Sequence, residues 1–261
     1  MRLIILPRRT LILAAILALT VLMGIVMLII ARDALPVLQV SSLAEGERRI
    51  PIYSVQTDER KVALTFDATW GAEFTDRLLA ALGDNDVRAT FFLTNIWMKD
   101  YPEKTGAIWA AGHEIGLHSA DHHDMATLSE DDIRQDLDDN RRQLISICAD
   151  AKPVLFRPPY GSYNDRLMQV AEDELGLRVI QWSIDSLDWR EVTPEYVYNR
   201  IVTLLHPGAI ILFHNNAEPT AEALERIISY LHDNGYEIVP VSELLHPEPY
   251  TVDHRGQQVP Q

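Results

Sequence analysis

Between residues 61 and 241 the apolar and polar positions change period in a regular order. Val62, Leu64 and Phe66 alternate with Ala63, Thr65 and Asp67, a two-residue period that predicts a strand. Both faces are mostly apolar, as in a strand buried within a parallel sheet. The run ends on a carboxylate, and a helical pattern follows from about Glu73. Six further strands are predicted at 89–95, 113–118, 154–156, 177–184, 208–213 and 236–241. Helical patterns lie between them. Ser129 opens the longest as a capping pair with Asp132, and Ile133, Leu137, Leu144 and Ile147 mark its buried stripe. Thr193 followed by Pro194 is an N-cap and first-turn signal, and Gly112, Gly176 and Gly235 stand where helices stop. Seven strands alternating with helices imply an α/β fold with a parallel sheet; an open sheet and a distorted seven-unit barrel fit the pattern equally.

Residues 11–31 break this rhythm with 21 positions free of charge. As a helix they would span about 31 Å, enough to cross a bilayer core. Arg2, Arg8 and Arg9 precede them, which orients the N-terminus toward the cytoplasm and the remainder outside. A cleaved signal peptide is the alternative, but it has a shorter apolar core and a small-x-small site. No Ala-x-Ala site ends this run, so an uncleaved transmembrane anchor in the cell membrane is expected. The expected organisation is a cytoplasmic tail at 1–10, the anchor at 11–31, a stalk at 32–58, an α/β domain at 59–246 and a polar tail at 247–261. Ile52, Tyr53 and Val55 at the end of the stalk have the makings of a short added strand.

Charge narrows the partners. The chain carries a net charge of -15. Four of its 23 basic residues and none of its 38 acidic ones fall in the first 32 positions, so the rest holds 19 basic against 38 acidic groups, or -19. A body this acidic argues against nucleic acid and anionic membrane surfaces as ligands. The lone cysteine, Cys148, sits on a helical stripe with Leu144 and Ile147 and reads as a packed core thiol.

The predicted strands share one feature: polar residues stand at their C-terminal ends, where α/β enzymes keep their chemistry. The first ends at Asp67. After the third come His118 and His122, a spacing that lets two imidazoles reach one metal, although nine histidines make chance pairs common. After the fourth comes Arg157-Pro-Pro-Tyr160-Gly161, in which prolines stiffen the backbone. After the fifth come Asp185, Asp188 and Trp189, and the sixth ends on Leu212-Phe-His214. Any one of these could cap a helix or face solvent. Their recurrence at one end of successive strands is the informative fact.

Taken in order, Thr65-Phe-Asp67, His118-Ser-x-x-His122, Arg157-Pro-Pro-Tyr160, Asp185-x-x-Asp188-Trp189 and Leu212-x-His214 resemble the five motifs of the polysaccharide deacetylases. These are the NodB homology domains of carbohydrate esterase family 4, here of the sporulation and cell-envelope type, and the match spans roughly 59–245. The resemblance implies a distorted (β/α)7-type barrel, a divalent cation (zinc, with cobalt as an alternative) and hydrolysis of N-acetyl groups on an amino-sugar polymer, with peptidoglycan first and a chitin-like glycan next. It implies His118 and His122 as metal ligands, Asp67 as general base and His214 as general acid. Arg157 would orient Asp67, and Asp188 would keep His214 protonated. The Tyr160 amide would meet the oxyanion, while Trp189 and Leu212 would wall the acetyl pocket. The family's first motif carries two consecutive aspartates, the second a metal ligand; here that place is Ala68. Asp67, Asp121 and Glu73 are the candidates for a third ligand. Two other functions stay open: a non-catalytic glycan-binding domain, and an O-acetyl esterase of the xylan type.

Overall fold

The computed structural model describes residues 48–261. The expected anchor at 11–31 lies outside the described residues; among those described, no helix is long and apolar enough to cross a membrane. In chain order the strands are β1 (Ser54–Val55), β2 (Lys61–Ala68), β3 (Thr90–Leu93), β4 (Glu114–Leu117), β5 (Leu155–Phe156), β6 (Arg178–Val179), β7 (Ile184–Asp185), β8 (Ala209–His214), β9 (Glu237–Ile238), β10 (Tyr250–Val252) and β11 (Gln257–Pro260). The helices are α1 (Thr75–Gly83), α2 (Asn95–Asp100), α3 (Pro102–Ala110), α4 (Glu130–Ile147), α5 (Asp165–Met168), α6 (Pro194–Leu204), α7 (Glu218–Asp233) and α8 (Val241–Leu244).

The alternation read from the sequence holds from β2 to β9. Strands β8, β2, β3, β4, β5 and β6 lie side by side and parallel, and β7 and β9 attach in parallel to β8 and β2. The sheet curls until Ile52 bridges in parallel to Ile180. Two backbone bonds hold that contact, Ile52 N–H to Val179 O at 2.9 Å and Gln181 N–H to Ile52 O at 2.7 Å. The next residues, β1, then pair antiparallel with β8. Thus the end of the 32–58 stretch supplies a strand. Gly208 permits the approach: its φ is +74°, and a Cβ there would lie 1.8 Å from Val55 O. The C-terminal stretch also joins the sheet, as the hairpin β10–β11 on the outer edge of β1.

Two further departures have local causes. The predicted strand at 177–184 divides into β6 and β7, because Gln181 leaves β5 to bond Ile52 while Ser183 N–H bonds Ile210 O. The predicted strand at 89–95 stops at Leu93. Thr94 takes extended dihedrals and its hydroxyl accepts from Trp97 N–H, so it caps α2, a helix the apolar pattern does not reveal. The expected caps at Ser129 and Thr193 are present, accepting from Asp132 and Tyr196 amides at 3.2 Å each.

Strand β2 is buried on both faces, and its alternation separates two layers. Val62, Leu64, Phe66 and Ala68 join the apolar layer that includes Leu78, Trp97, Leu224 and Ile228 from the helices. Ala63 belongs to an inner cluster with Ile52, Phe92, Leu155, Ile180 and Ile210. Phe66 stacks between Phe91 and Phe213 at centroid distances of 4.9 and 5.5 Å. Cys148 is buried and unpaired at the end of α4, and burial pushes its thiol pKa up.

Candidate active site

A cleft of about 740 Å³ opens at the C-terminal ends of the parallel strands. Asp67, His118, His122, Tyr160, Asp188, Trp189, Leu212 and His214 all line it. Arg157 lies beneath, wholly buried.

Asp67 ends β2, and its carboxylate is almost fully enclosed. Oδ1 accepts from Arg157 Nη1 at 2.7 Å, and Oδ2 stands 3.5 Å from His118 Nε2. Burial would raise the carboxyl pKa, but the Arg157 charge and the nearby imidazoles outweigh it and hold it below the usual range. Arg157 is fixed in turn. Nη1 also donates to Thr65 Oγ1 at 2.9 Å and Nη2 to Gln181 O at 3.0 Å, while its guanidinium lies 4.1 Å above the Phe92 ring. A planar, permanently charged fork suits this site, because it meets three acceptors at fixed angles.

His118 and His122 stand on the loop after β4, their rings 5.1 Å apart and nearly perpendicular. The His118 ring donates from Nδ1 to Arg157 O at 2.7 Å, which leaves Nε2 as a lone-pair donor facing Asp67. His122 is in the left-handed region at φ 54°, and its buried Nδ1 has no hydrogen-bond partner. Burial lowers both pKa values, that of His122 to about 4, with His118 adding to the effect there. Both rings are therefore neutral at pH 7, the state a metal ligand needs. The loop hangs from α4. Asn140 Oδ1 accepts from His118 N–H at 2.9 Å, and Asp136 accepts from Ala120 N–H at 2.9 Å and Ser119 Oγ at 3.0 Å.

The residues fit a cation in part. Two neutral imidazoles present nitrogen donors, and the orphaned Nδ1 of His122 is a buried polar atom awaiting a partner. Among the described residues, however, no three His, Cys, Asp or Glu side chains converge as a metal-binding group. Ala68 is fully buried in the apolar layer. Of the third-ligand candidates, Asp121 is exposed and lines a separate groove with Lys99 and Arg142, and Glu73 is exposed and away from the cleft lining. Asp67 Oδ2 is the carboxylate oxygen left beside His118.

The second half of the site is built on β8 and the loop after β7. His214 Nδ1 meets Asp188 Oδ1 at 2.7 Å, and His214 N–H donates to Oδ2 at 2.9 Å. Thr220 Oγ1 donates to the same oxygen at 2.5 Å. Burial alone would lower the His214 pKa, but the Asp188 hydrogen bond and charge outweigh it and raise the value. Nε2 is the nitrogen left for the cleft. Leu212 is buried in the wall, whereas Trp189 and Tyr160 are mostly exposed at the rim. Tyr160 is left-handed, at φ 60°.

Thr65, Gln181, Asp136, Asn140 and Thr220 all hold working groups in place, and sequence reasoning assigns none of them that role. Thr65 lies two before Asp67 on the same face of a strand, and that spacing is the signal that points to it.

A family model for polysaccharide deacetylases matches residues 54–180. The peptidoglycan-N-acetylmuramic acid deacetylase PdaA of Bacillus subtilis is 30% identical over 210 residues, covering 79% of each chain. The chain belongs to the polysaccharide deacetylase family. The PdaA structure, a family 4 carbohydrate esterase, superposes with a TM-score of 0.71 over 74% of this chain and 84% of that one. Another relative is YlxY of Bacillus subtilis, an uncharacterized protein 36% identical over 75% of this chain; the match spans 60% of YlxY's length. A third is BA3943 of Bacillus anthracis, described as a CE4 family pseudoenzyme. It is 35% identical, with a TM-score of 0.71 over 74% of this chain and 68% of that one. A mutant of BA3943 is described as having restored enzymatic activity.

Proposed function

We propose that this chain hydrolyses N-acetyl groups on an amino-sugar polymer, peptidoglycan first, at a site that takes one divalent cation, zinc before cobalt. The observation that carries this is the pairing of two oppositely tuned groups in one cleft: Asp67, hydrogen-bonded to Arg157 with its pKa lowered, and His214, hydrogen-bonded to Asp188 with its pKa raised. A pure binding site has no use for that division of proton work.

A water oxygen bonds to the acetyl carbonyl carbon, and its proton passes to Asp67. The C–N bond then breaks, and His214 gives the departing nitrogen its proton, releasing acetate and a free amine. Arg157 keeps Asp67 in the acceptor form, but a carboxylate held that low is a weak base and needs an acidified water. His118 and His122 would hold a cation, which when bound would supply that acidity and polarise the carbonyl. Leu212 and Trp189 enclose the methyl, and the Tyr160 amide stabilises the developing oxyanion. We also assign the site to the outer side of the cell membrane, on the arginines before residues 11–31. Protease added to intact cells should then remove the domain.

The test is acetate release by the purified full-length chain from peptidoglycan and from chitin-like oligomers, after chelation and with zinc or cobalt restored. Release that needs the cation and disappears in His214→Ala supports the reading. A wild type that releases nothing with any cation sinks it.

A second reading has its own support. Ala68 stands where the family's metal-binding aspartate belongs, and a relative described as a pseudoenzyme is among the most similar structures. On that reading the chain binds glycan without turnover, and Ala68→Asp confers acetate release that the wild type lacks.

A further inference from the structure

We propose that Trp70 is a stacking platform for the sugar ring next to the one that reacts, so that the cleft reads at least two residues of a glycan chain. The inference rests on the glycan reading of the site and names a subsite within it.

Eight large hydrophobic side chains are exposed among the described residues, and three of them, Trp70, Tyr160 and Trp189, line the one cleft that holds Asp67 and His214. Scattered apolar residues on a surface need no explanation, but a cluster rimming a polar cleft does. The cleft is also far larger than an acetamide group, at about 740 Å³.

The backbone next to Trp70 is held from two elements. Trp70 leads into Gly71, whose φ of +64° favours glycine. Two buried side chains converge on the Gly71 carbonyl: Trp97 Nε1 at 2.7 Å from α2, and Asn215 Nδ2 at 2.9 Å from the loop after β8. Yet Trp70 is 57% exposed. A turn pinned from two elements, carrying a bare indole, is a preorganised surface.

Its place is set by its neighbours. The indole lies 5.0 Å from the His122 ring, at 62° between planes, and His122 lies 4.6 Å from the Tyr160 ring, at 74°. Trp70, His122 and Tyr160 thus make a continuous wall, with the indole at one end and its surface free. A pyranose has one face rich in C–H groups, which suits an indole face, and hydroxyls around its edge, which suit the polar rim of Asp185, Asn216 and Glu218.

The experiment measures equilibrium binding by calorimetry, using the detergent-solubilised full-length chain in chelator to suppress turnover. N-acetylglucosamine and its N-acetylated dimer and pentamer are the probes. The wild type should bind the pentamer more tightly than the monomer. Trp70→Ala should lose that increment, on the order of tenfold, while Trp70→Phe keeps most of it and monomer binding stays unchanged. Trp109→Ala, exposed on α3 outside the cleft lining, should alter nothing. Zinc affinity should be the same in Trp70→Ala, which separates a platform from a prop for His122. The proposal is overturned if Trp70→Ala keeps the chain-length increment, loses monomer and pentamer binding equally, or weakens zinc instead. A wild type without any increment overturns it too. Pentamer binding in chelator, with no acetate release once zinc or cobalt is restored, would retire the deacetylase reading and leave the platform standing.

Discussion

Asp67 and His214 are register partners on the adjacent parallel strands β2 and β8. Directly paired residues of neighbouring strands face the same side of a sheet, roughly 4.8 Å apart at the backbone. The Asn215 amide then ties the strand ends together by bonding Asp67 O at 3.1 Å. The carboxylate and the imidazole are thus placed by the sheet itself and not by a mobile loop. Their partners come from elsewhere, Arg157 after β5 and Asp188 after β7, and push them in opposite directions.

The His214–Asp188 pair should act as one unit. His214→Ala and Asp188→Asn should each lower kcat by roughly 10²-fold or more, and the double variant should lose little beyond the worse single. The pH profile supplies the sign. A raised imidazole pKa keeps the acid form populated to higher pH, and it is lost as pH rises through the folded value. Asp188→Asn removes the main upward influence, so the alkaline limb of kcat should move to lower pH. Fully multiplicative losses, or an unmoved limb, would show two independent groups.

Arg157 is expected to matter for stability as much as for chemistry. Arg157→Met leaves the Asp67 carboxylate buried without its cation, a change that costs about 3–5 kcal/mol at neutral pH. In the wild type the Asp67 pKa is lowered, so its contribution is present above the unfolded value and lost as pH falls through the folded one. In Arg157→Met burial dominates and the pKa rises, so the variant should lose stability as pH rises. Urea unfolding at acid and neutral pH measures both slopes, and Asp67→Asn in the same chain should recover much of the neutral-pH loss. An Arg157→Met protein as stable as the wild type at pH 7 contradicts the account.

What the sequence made legible follows from the range of each interaction. Strand β2 was readable because its period of two is local and ends on Asp67, and the other polar strand ends were found in the same way. The caps at Ser129 and Thr193 were readable for the same reason. The apolar run Ile52, Tyr53 and Val55 marked a short strand, but its bridge from Ile52 to Ile180 joins residues far apart in the chain, and nothing local marks that pairing. The division of 177–184 depends on that bridge, so it was equally hidden. Asp136, Asn140 and Thr220 looked like helix residues because they are; their second task, holding the His118 loop and Asp188, exists only once those helices pack on the strand ends.

Glu172 offers a stability test remote from the cleft. Burial raises its pKa to about 7, with Arg49 opposing from 3.8 Å. A raised carboxyl pKa means that the folded state holds a proton the unfolded chain has released, so stability should fall as pH rises from about 4.5 to about 7. Glu172→Gln should flatten that part of the curve and leave the protein more heat-stable than the wild type at pH 8. Thermal unfolding across pH 4–8 checks it; parallel curves for the two proteins would rule the titration out.

Ala68 is the position where fold and chemistry make opposite demands. It pairs with Leu93, is fully buried and belongs to the apolar layer with Phe66. Asp at that site would carry a carboxylate into this surrounding, which costs several kcal/mol unless a cation or a proton meets it. Without added metal, Ala68→Asp should therefore melt below the wild type. With zinc it should recover, because the proposed site then gains a full negative charge for its dication. The gain in metal affinity should be on the order of tenfold or more. The wild type, with two imidazoles and the outer oxygen of Asp67, should lose its metal on simple dialysis. Activity need not follow affinity, since a second carboxylate beside Asp67 also raises the cost of ionising it. Calorimetric zinc titration and melting of both proteins, with and without chelator, separate the two effects. A wild type that keeps one equivalent of metal through chelation would mean a ligand set other than the one described, and Ala68→Asp binding zinc no more tightly than the wild type would mean that residue 68 does not reach the site.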